Sequence, residues 1–187
     1  MSSCSFINKG DSEICFVGDS ITHIWDLEYF FPDFVVHKHA ENGAVLQDLA
    51  KWDLTECKGL TTVFLMGTNN IGHVSIDNSD ARIIRKDFVE LYLKKISRIE
   101  ADPLFVVSIL PRNFNNRQNS KVNENIEKVN EMIQDSLKKS EMNYEFIDVF
   151  DAFLEKDYKI RKSLFYDGLH PSKEGYELLA SKILKYL

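Results

Sequence analysis

Apolar residues follow two alternating patterns along this chain. Short uninterrupted apolar runs, typical of buried strands, alternate with longer stretches in which apolar residues recur at the spacing of an α-helix. The runs predict strands at Ile14–Val17, Phe34–His39, Thr62–Met66, Leu104–Leu110 and Tyr144–Val149. The helical spacing predicts helices at Ile21–Leu27, Ala44–Trp52, Asp80–Glu100 and Asn119–Lys139, with a final helix that has Pro171 in its first turn and ends near Tyr186. Because strands and helices alternate, we expect right-handed βαβ units and a parallel sheet covered on both faces.

The fold class predicted from this order is α/β, a flavodoxin-like three-layer α/β/α sandwich with a five-stranded parallel sheet. The chain has 187 residues and shows no internal repeat or Gly/Ser/Pro-rich linker, so we predict one domain over residues 1–187. In open α/β sheets, ligands bind beyond the C-terminal ends of the strands. The fold therefore predicts that the residues following the strands meet at one edge, among them Ser20, Gly43, Asn69 and Arg112.

Charge and apolar content narrow the classes of function. The formal net charge of −6 disfavours a nucleic-acid partner, because such partners require a basic face. No apolar run is long enough to span a membrane, and the N-terminus lacks the pattern of a signal peptide. These features predict a cytoplasmic protein with no nucleic-acid partner and no membrane span. The oligomeric state stays open, a homodimer included.

Cysteines and histidines show no metal-binding spacing. The chain has three cysteines, Cys4, Cys15 and Cys57. This odd number without close spacing predicts neither a disulfide framework nor a zinc site, and Cys15 is expected to be a small buried residue of a strand. Four histidines precede the C-terminal half: His23, His37, His39 and His73. Since none pairs with cysteines or carboxylates at the spacing of metal ligands, we predict no metal and no cofactor.

The residues with the clearest chemistry lie near the two ends of the chain. Gly18-Asp19-Ser20 breaks the first apolar run where a helix is predicted to begin, and Asp167 lies three residues before His170. A serine, a histidine and a carboxylate are the nucleophile, the base and the base-orienting group of a serine hydrolase. Considered singly, Ser20 or Asp19 fits an N-cap, and His170 fits an ordinary surface histidine. The pairing of both motifs favours acyl transfer, with Ser20, Asp167 and His170 as the catalytic residues.

Further segments offer hydrogen-bond donors for an oxyanion. Gly67-Thr68-Asn69-Asn70 follows the strongest predicted strand and places the amide of Asn69 near the expected site, although Gly and Asn also favour simple turns. The backbone N–H of Ser20 lies at the start of a helix, where such groups are unpaired. Gly43 is a third candidate donor through its backbone, and a plain turn explains it equally well. We predict an oxyanion hole formed by Ser20, Gly43 and Asn69.

These blocks resemble those of the SGNH/GDSL hydrolases, a family named for a Ser, Gly, Asn and His in separated segments. The matching segments are Gly18-Asp19-Ser20-Ile21, Asn42-Gly43-Ala44, Gly67-Thr68-Asn69-Asn70 and Asp167-Gly168-Leu169-His170-Pro171. Two positions depart from the family pattern, because Ile21 replaces a Leu and Asn70 replaces an Asp. The resemblance implies that Ser20 is the nucleophile, that His170 is the base, and that Asp167 is the partner of the base. It also implies that Gly43 and Asn69 join the Ser20 N–H in the oxyanion hole.

The variant Gly-Thr-Asn-Asn and the segment Ile109-Leu110-Pro111-Arg112 resemble one branch of that family. This branch contains the intracellular platelet-activating-factor acetylhydrolase catalytic subunits and small bacterial sialic acid O-acetylesterases. The resemblance implies a small-molecule ester substrate, first of all an O-acetylated carbohydrate such as sialic acid. The absence of a long inserted lid favours a short acyl group. A lysophospholipid, a thioester or another short-chain ester stays open.

The substrate pocket is expected to be shallow, since its walls must come from short connections such as Ile71–Ser75 and Arg112–Ser120. Asn70 and Arg112 are candidate substrate-binding residues. Arg112 offers hydrogen bonds to a polar alcohol or a charge partner for a sugar carboxylate, and a solvated loop residue is the equal alternative.

Two other classes of function fit parts of the pattern. A flavodoxin-like binder of nucleotides or phosphate uses the same strand ends, but no Gly-rich phosphate loop follows the first strand. An inactive SGNH scaffold acting as a binding module keeps the fold and loses the chemistry. Because every catalytic residue type is present, the sequence favours an active esterase over both.

Overall fold

The computed structural model describes residues 12–71, 81–113, 120–141 and 143–187, without the side chains of residues 81–84 and 120. Its strands are β1 Ser12–Gly18, β2 Phe34–Ala40, β3 Thr61–Leu65, β4 Leu104–Val107 and β5 Tyr144–Ile147. They form one sheet of order β2-β1-β3-β4-β5, in which every neighbouring pair is parallel. This is the doubly wound order of flavodoxin-like folds. The predicted α/β fold class is confirmed.

Helices connect the strands. They are α1 Ser20–Ile24, α2 Leu27–Phe30, α3 Thr68–Ile71, α4 Ala81–Ile96, α5 Ser120–Leu137 and α6 Lys173–Ile183. None of the helices in the described ranges is both long enough and apolar enough to cross a membrane.

Three predicted helices differ in detail from those observed. The segment Ile21–Leu27 contains the end of α1 and the start of α2, because Asp26 begins a new helix by accepting a hydrogen bond from the N–H of Tyr29. The segment Ala44–Trp52 contains only the 3₁₀ helix Leu46–Ala50.

The start of α6 lies later than predicted. Ser172 is its N-cap and accepts a hydrogen bond from the N–H of Gly175, so Pro171 precedes the helix and is not in its first turn. Pro171 forms an isolated antiparallel bridge with Phe165. The bridge closes the loop between these two residues, so Pro171 pairs with Phe165 where a first helical turn was expected.

Two apolar cores lie on opposite faces of the sheet. One packs α4 and α5 against the face that carries Cys15, Val17 and Phe64. The other packs α1, α2 and α6 against the face that carries Phe16 and Val63. Neighbouring residues of β1 point to opposite faces, and both faces are covered, which explains why the inner strands are continuous apolar runs.

One cysteine prediction was wrong. Cys15 in β1 is buried, as expected, but it forms a disulfide bond with Cys57, which ends the 3₁₀ helix Thr55–Cys57. The two residues are 42 positions apart, so no local spacing marks them as partners. They meet because β3, which begins at Thr61, pairs directly with β1.

Candidate active site

The segment Gly18-Asp19-Ser20 leads from β1 into α1. Asp19 is the N-cap of α1, because its backbone is extended and its Oδ1 accepts a hydrogen bond from a backbone N–H of the first turn at 3.1 Å. Ser20 is therefore the first helical residue. A Cβ at position 18 would collide with the carbonyl oxygen of Leu65 and with the side chain of Thr22, so the turn requires glycine. This tight turn holds Ser20 at the C-terminal end of an inner strand.

The histidine segment is a closed loop. Its base is the bridge between Phe165 and Pro171, and the N–H of Tyr166 donates a hydrogen bond to the carbonyl of His170 at 2.8 Å. Gly168 has a φ of +84°, and the carbonyl of Asn113 leaves no room for a Cβ there. The N–H of Asn113 donates to the carbonyl of Gly168 at 2.7 Å. The loop is thereby tied to the chain that follows β4.

The two segments meet at the C-terminal edge of the sheet. Ser20 Oγ lies 3.0 Å from His170 Nε2, and His170 Nδ1 lies 2.7 Å from Asp167 Oδ2. The other carboxylate oxygen of Asp167 accepts hydrogen bonds from the backbone N–H groups of Leu169 and His170 at 2.9 and 2.8 Å. A carboxylate on Nδ1 favours the neutral tautomer whose Nε2 is unprotonated and faces the hydroxyl. This arrangement can take a proton from Ser20.

Two carboxyl groups flank this path and differ in pKa. Burial raises the pKa of Asp19 to about 6, although the backbone N–H groups of Ile21 and Gly67 act against the shift. Burial also acts to raise the pKa of Asp167, but the hydrogen bonds from the backbone and ring of His170 outweigh it and hold this pKa below its usual value. Asp167 is thus an ionised partner for the imidazole.

The predicted oxyanion segments are joined to each other. Asn69 Nδ2 donates a hydrogen bond to the carbonyl of Ala44 at 2.9 Å. An amide nitrogen carries two hydrogens, so this bond orients the amide and uses one of them. Gly43, the residue before Ala44, is an exposed turn residue with a φ of +73°. The structure therefore brings Asn69 and the Gly43 segment together.

Asn70 and Arg112 have partners within the protein. Asn70 Oδ1 accepts from the backbone N–H of Leu46, and Asn70 Nδ2 donates to Gln47 Oε1, both at 2.9 Å. Arg112 Nη1 donates to the carbonyl of Thr68 at 2.9 Å. The guanidinium is half-buried, and burial lowers its pKa. Both side chains thus tie neighbouring segments of the site to each other.

Two of the three buried asparagines of α5 bind the chain after β4, and the sequence did not single them out. Asn130 accepts from the N–H of Ile109 and donates to the carbonyl of the same residue, both at 2.9 Å. Asn123 Oδ1 accepts from the N–H of Arg112 at 2.8 Å. These amides hold the irregular chain after β4 in place of strand hydrogen bonds. The available signal was a pair of asparagines seven positions apart, hence on one helix face, beside the apolar stripe of α5.

Some predicted features lie outside the described residues. These are His73 and most of the two expected pocket connections, namely residues 72–75 and 114–119.

A parallel sheet with a serine, a histidine and an aspartate in hydrogen-bond contact at its C-terminal edge is typical of serine hydrolases. The model of the GDSL-like lipase/acylhydrolase family matches residues 16–178. The chain belongs to this family and is a carboxylic ester hydrolase of the SGNH/GDSL type. No curated protein matches the chain.

Solved structures agree with the fold. A Streptococcus pneumonia protein, described provisionally as a platelet activating factor, is 25% identical with a TM-score of 0.73, over 97% of this chain and 86% of that one. A GDSL-like lipase from Bacteroides thetaiotaomicron is 18% identical with a TM-score of 0.69, over 94% and 87%. A catalytic mutant of an acetylxylan esterase from Geobacillus stearothermophilus is 16% identical with a TM-score of 0.64, over 94% of both chains.

Proposed function

We propose that this chain is a serine esterase in which Ser20 is the nucleophile, His170 the general base and Asp167 the carboxylate that orients the base. One observation carries the proposal. A continuous path of contacts runs from Ser20 Oγ to His170 Nε2 at 3.0 Å and from His170 Nδ1 to Asp167 Oδ2 at 2.7 Å. Both distances are those of hydrogen bonds, as proton transfer requires.

The reaction has two halves. Ser20 Oγ attacks the ester carbonyl carbon while its proton passes to His170 Nε2, and Asp167 stabilises the imidazolium that forms. The tetrahedral intermediate collapses when Nε2 gives this proton to the departing alcohol oxygen, which leaves an acyl-enzyme. Water then transfers a proton to Nε2 and attacks the acyl carbon. Return of the proton to Ser20 Oγ releases the carboxylic acid and restores the enzyme.

We assign the oxyanion hole to the N–H groups of Ser20 and Gly43 and to the side-chain amide of Asn69. The hydrogen bond from Asn69 to Ala44 supports this assignment, because it holds the two donor segments in one arrangement before substrate binds. Asn70 and Arg112 act, in this proposal, by holding these segments through Leu46 and Thr68. Direct contact of Asn70 or Arg112 with substrate stays a prediction.

We assign short acyl esters, acetyl esters first, as the substrates, with an O-acetylated carbohydrate such as sialic acid as the alcohol part. Acetylxylan esterases share this fold, so the scaffold is compatible with the removal of acetyl groups from sugars. Tyr166 lies directly before Asp167 and is 87% exposed, which makes an aromatic surface available beside the histidine segment. A cytoplasmic location, a single domain over residues 1–187 and a homodimer stay predictions from the sequence.

A second candidate is an acylhydrolase that resembles the platelet-activating-factor acetylhydrolases. The similarity to the Streptococcus pneumonia structure favours it, because this match reaches 25% identity over 97% of the chain. Both candidates use the same triad and differ in the alcohol that leaves. The same substrate comparison can include a lysophospholipid and a thioester. Inactivity on all substrates would favour an inactive binding module.

Two measurements test the proposal. A fluorophosphonate probe should label the wild-type chain and leave Ser20→Ala unlabelled, whereas equal labelling of both would exclude Ser20 as the nucleophile. The second is kcat/KM for an O-acetylated sialic acid, p-nitrophenyl acetate, butyrate and octanoate, and a short-chain phospholipid acetate. Greater efficiency on octanoate than on acetate would overturn the short-acyl assignment. Inactivity on the O-acetylated sialic acid, and on acetylated xylan tested beside it, would remove the carbohydrate assignment.

A further inference from the structure

A second group of reactive side chains lies apart from the Ser20–His170 pair. Cys15, Cys57 and His39 each offer one ligand atom, and these three atoms lie within 4.8 Å of one another. Cys15 pairs in register with His37 of β2, so His39, two residues further, is on the same face of the sheet. Ester hydrolysis as proposed above uses none of the three residues.

The surroundings of this cysteine–histidine cluster also suit a cation. His39 Nε2 is screened from solvent and has no partner in hydrogen-bond geometry among the described residues, an arrangement that is uncommon for a buried polar atom. Glu56 Oε2 lies 3.2 Å from that nitrogen. A second carboxylate, Asp53, is close enough to His39 for their charges to interact. Two sulfurs and an imidazole thus converge on one place, with the carboxylate of Glu56 beside the imidazole.

We propose that the reduced chain binds one Zn²⁺ ion through the thiolates of Cys15 and Cys57, a ring nitrogen of His39 and the carboxylate of Glu56. Sulfur, imidazole and carboxylate oxygen are the ligands that Zn²⁺ takes in tetrahedral sites. Zn–S bonds of about 2.3 Å at tetrahedral angles separate two sulfurs by about 3.8 Å. Reaching this geometry requires the sulfurs to part and the exposed side chain of Glu56 to turn toward them.

Metal binding and the disulfide exclude each other. In the disulfide each sulfur is bonded to the other, so neither is a thiolate. A phosphine reductant cleaves the bond with one water, giving the phosphine oxide and two thiols. One Zn²⁺ then replaces the two thiol protons, which are released to solvent. The same pair of cysteines is therefore either a covalent link between β1 and the segment before β3 or half of a metal site.

Co²⁺ is the probe for this site, because thiolate-bound Co²⁺ has a charge-transfer band in the near ultraviolet. The full chain carries Cys4→Ser so that Cys15 and Cys57 are its only thiols, and it is studied without oxygen after phosphine reduction. One equivalent of Co²⁺ should produce the band, and Zn²⁺ should abolish it. The disulfide form of the same chain should give no band. A reduced chain with no band would overturn the proposal.

Variants of single ligands separate this site from loose binding to the surface. Cys57→Ser should remove most of the charge-transfer band, and His39→Gln should weaken Co²⁺ binding by at least roughly 100-fold. His37→Gln is the matched control. His37 Nδ1 lies 3.8 Å from Glu56 Oε2, but the proposal gives His37 no metal bond, so this variant should lose much less affinity than His39→Gln. Equal loss in His37→Gln and His39→Gln would overturn the assignment of His39.

Glu56→Gln gives a readout that does not depend on the buried core, because the Glu56 side chain is largely exposed. It should weaken Co²⁺ binding by roughly 10-fold or more while circular dichroism stays that of the parent. Unchanged affinity in this variant would overturn the assignment of the fourth ligand. This measurement does not use esterase activity, so its failure and the failure of the proposed function can be distinguished.

Discussion

The segment that carries Ser20 and the segment that carries His170 each contain an aspartate, and the pKa values of the two aspartates are shifted in opposite directions. Asp19 is fully buried and caps α1, and burial raises its pKa to about 6. The side chain of Asp167 is 34% exposed, and hydrogen bonds to His170 hold its pKa below the usual value. Asp167 keeps its charge to lower pH than Asp19, and its carboxylate is in direct contact with the imidazole.

The difference shows that residue type does not decide the role of a carboxylate near a nucleophile. Asp19 is next to Ser20 in the chain, but its carboxyl serves the turn that positions Ser20. Asp167 is remote in sequence from Ser20 and reaches it through His170. Solvent, backbone N–H groups and the imidazole together stabilise the charge of Asp167, whereas burial opposes the charge of Asp19.

The largest effect is expected when the nucleophile or the base, through which the two segments contact each other, is removed. Ser20→Ala should lower kcat for p-nitrophenyl acetate by roughly 10⁴–10⁶, and His170→Ala should be about as damaging, because nucleophile and base act as one unit. Circular dichroism should show that both variants are folded. Near-normal turnover by folded Ser20→Ala would contradict the mechanism.

Exchange of each aspartate for asparagine tests the comparison directly. Asp167→Asn should lower kcat by up to roughly 10⁴, since an amide disfavours the tautomer that accepts the serine proton. Asp19→Asn should lower kcat by less than roughly 10-fold, because asparagine is an equally good N-cap. The reverse order of the two rates would show that Asp19 is the carboxylate coupled to His170.

The asparagine pair after β3 gives a smaller effect. Asn69→Ala should lower kcat by roughly 10²–10³ with little change in KM, because the amide is expected to bind the oxyanion mainly in the transition state. Asn70→Ala should lower it less, since its observed partners are Leu46 and Gln47. A greater loss in Asn70→Ala would move the oxyanion donor to Asn70.

The smallest effect concerns stability against pH. The pKa of Asp19 rises from 3.8 to about 6 on folding, so its contribution to stability is complete below about pH 4 and is lost as pH rises through 6. A shift of about two units corresponds to about 3 kcal/mol. Between about pH 4 and pH 8, the free energy of unfolding of wild type should therefore fall by about 3 kcal/mol relative to Asp19→Asn.

Urea unfolding of both proteins at several pH values measures this difference. The lowered pKa of Asp167 has the opposite sign, so the stability it contributes is present above its unfolded pKa and is lost on acidification. Asp167→Asn is thus the control whose difference from wild type should change in the other direction. If the free energy of unfolding changed with pH equally in wild type and Asp19→Asn, the pKa of Asp19 would not be raised by folding.

Much of the fold was predictable because it depends on local periodicity. The five apolar runs overlap the five strands. The inner strands β1, β3 and β4 are apolar at most positions because both faces of the sheet are covered, whereas the edge strands β2 and β5 are only partly buried. The ends of the elements were less predictable. Single capping hydrogen bonds decide where α2 begins after Asp26 and where α6 begins after Ser172. Many nearby side chains could also cap a helix, so the sequence does not show which one does.

The sequence by itself determined the α/β class and the residue types that define the family, because periodicity and short motifs are local properties. Only the tertiary structure decided that Cys15 meets Cys57, that Asn70 holds Leu46, and that Asp19 is an acid of raised pKa. Each of these depends on which strands are neighbours and on how completely the chain excludes water. Contacts between distant residues and the dielectric around a charge exist only after the sheet has formed.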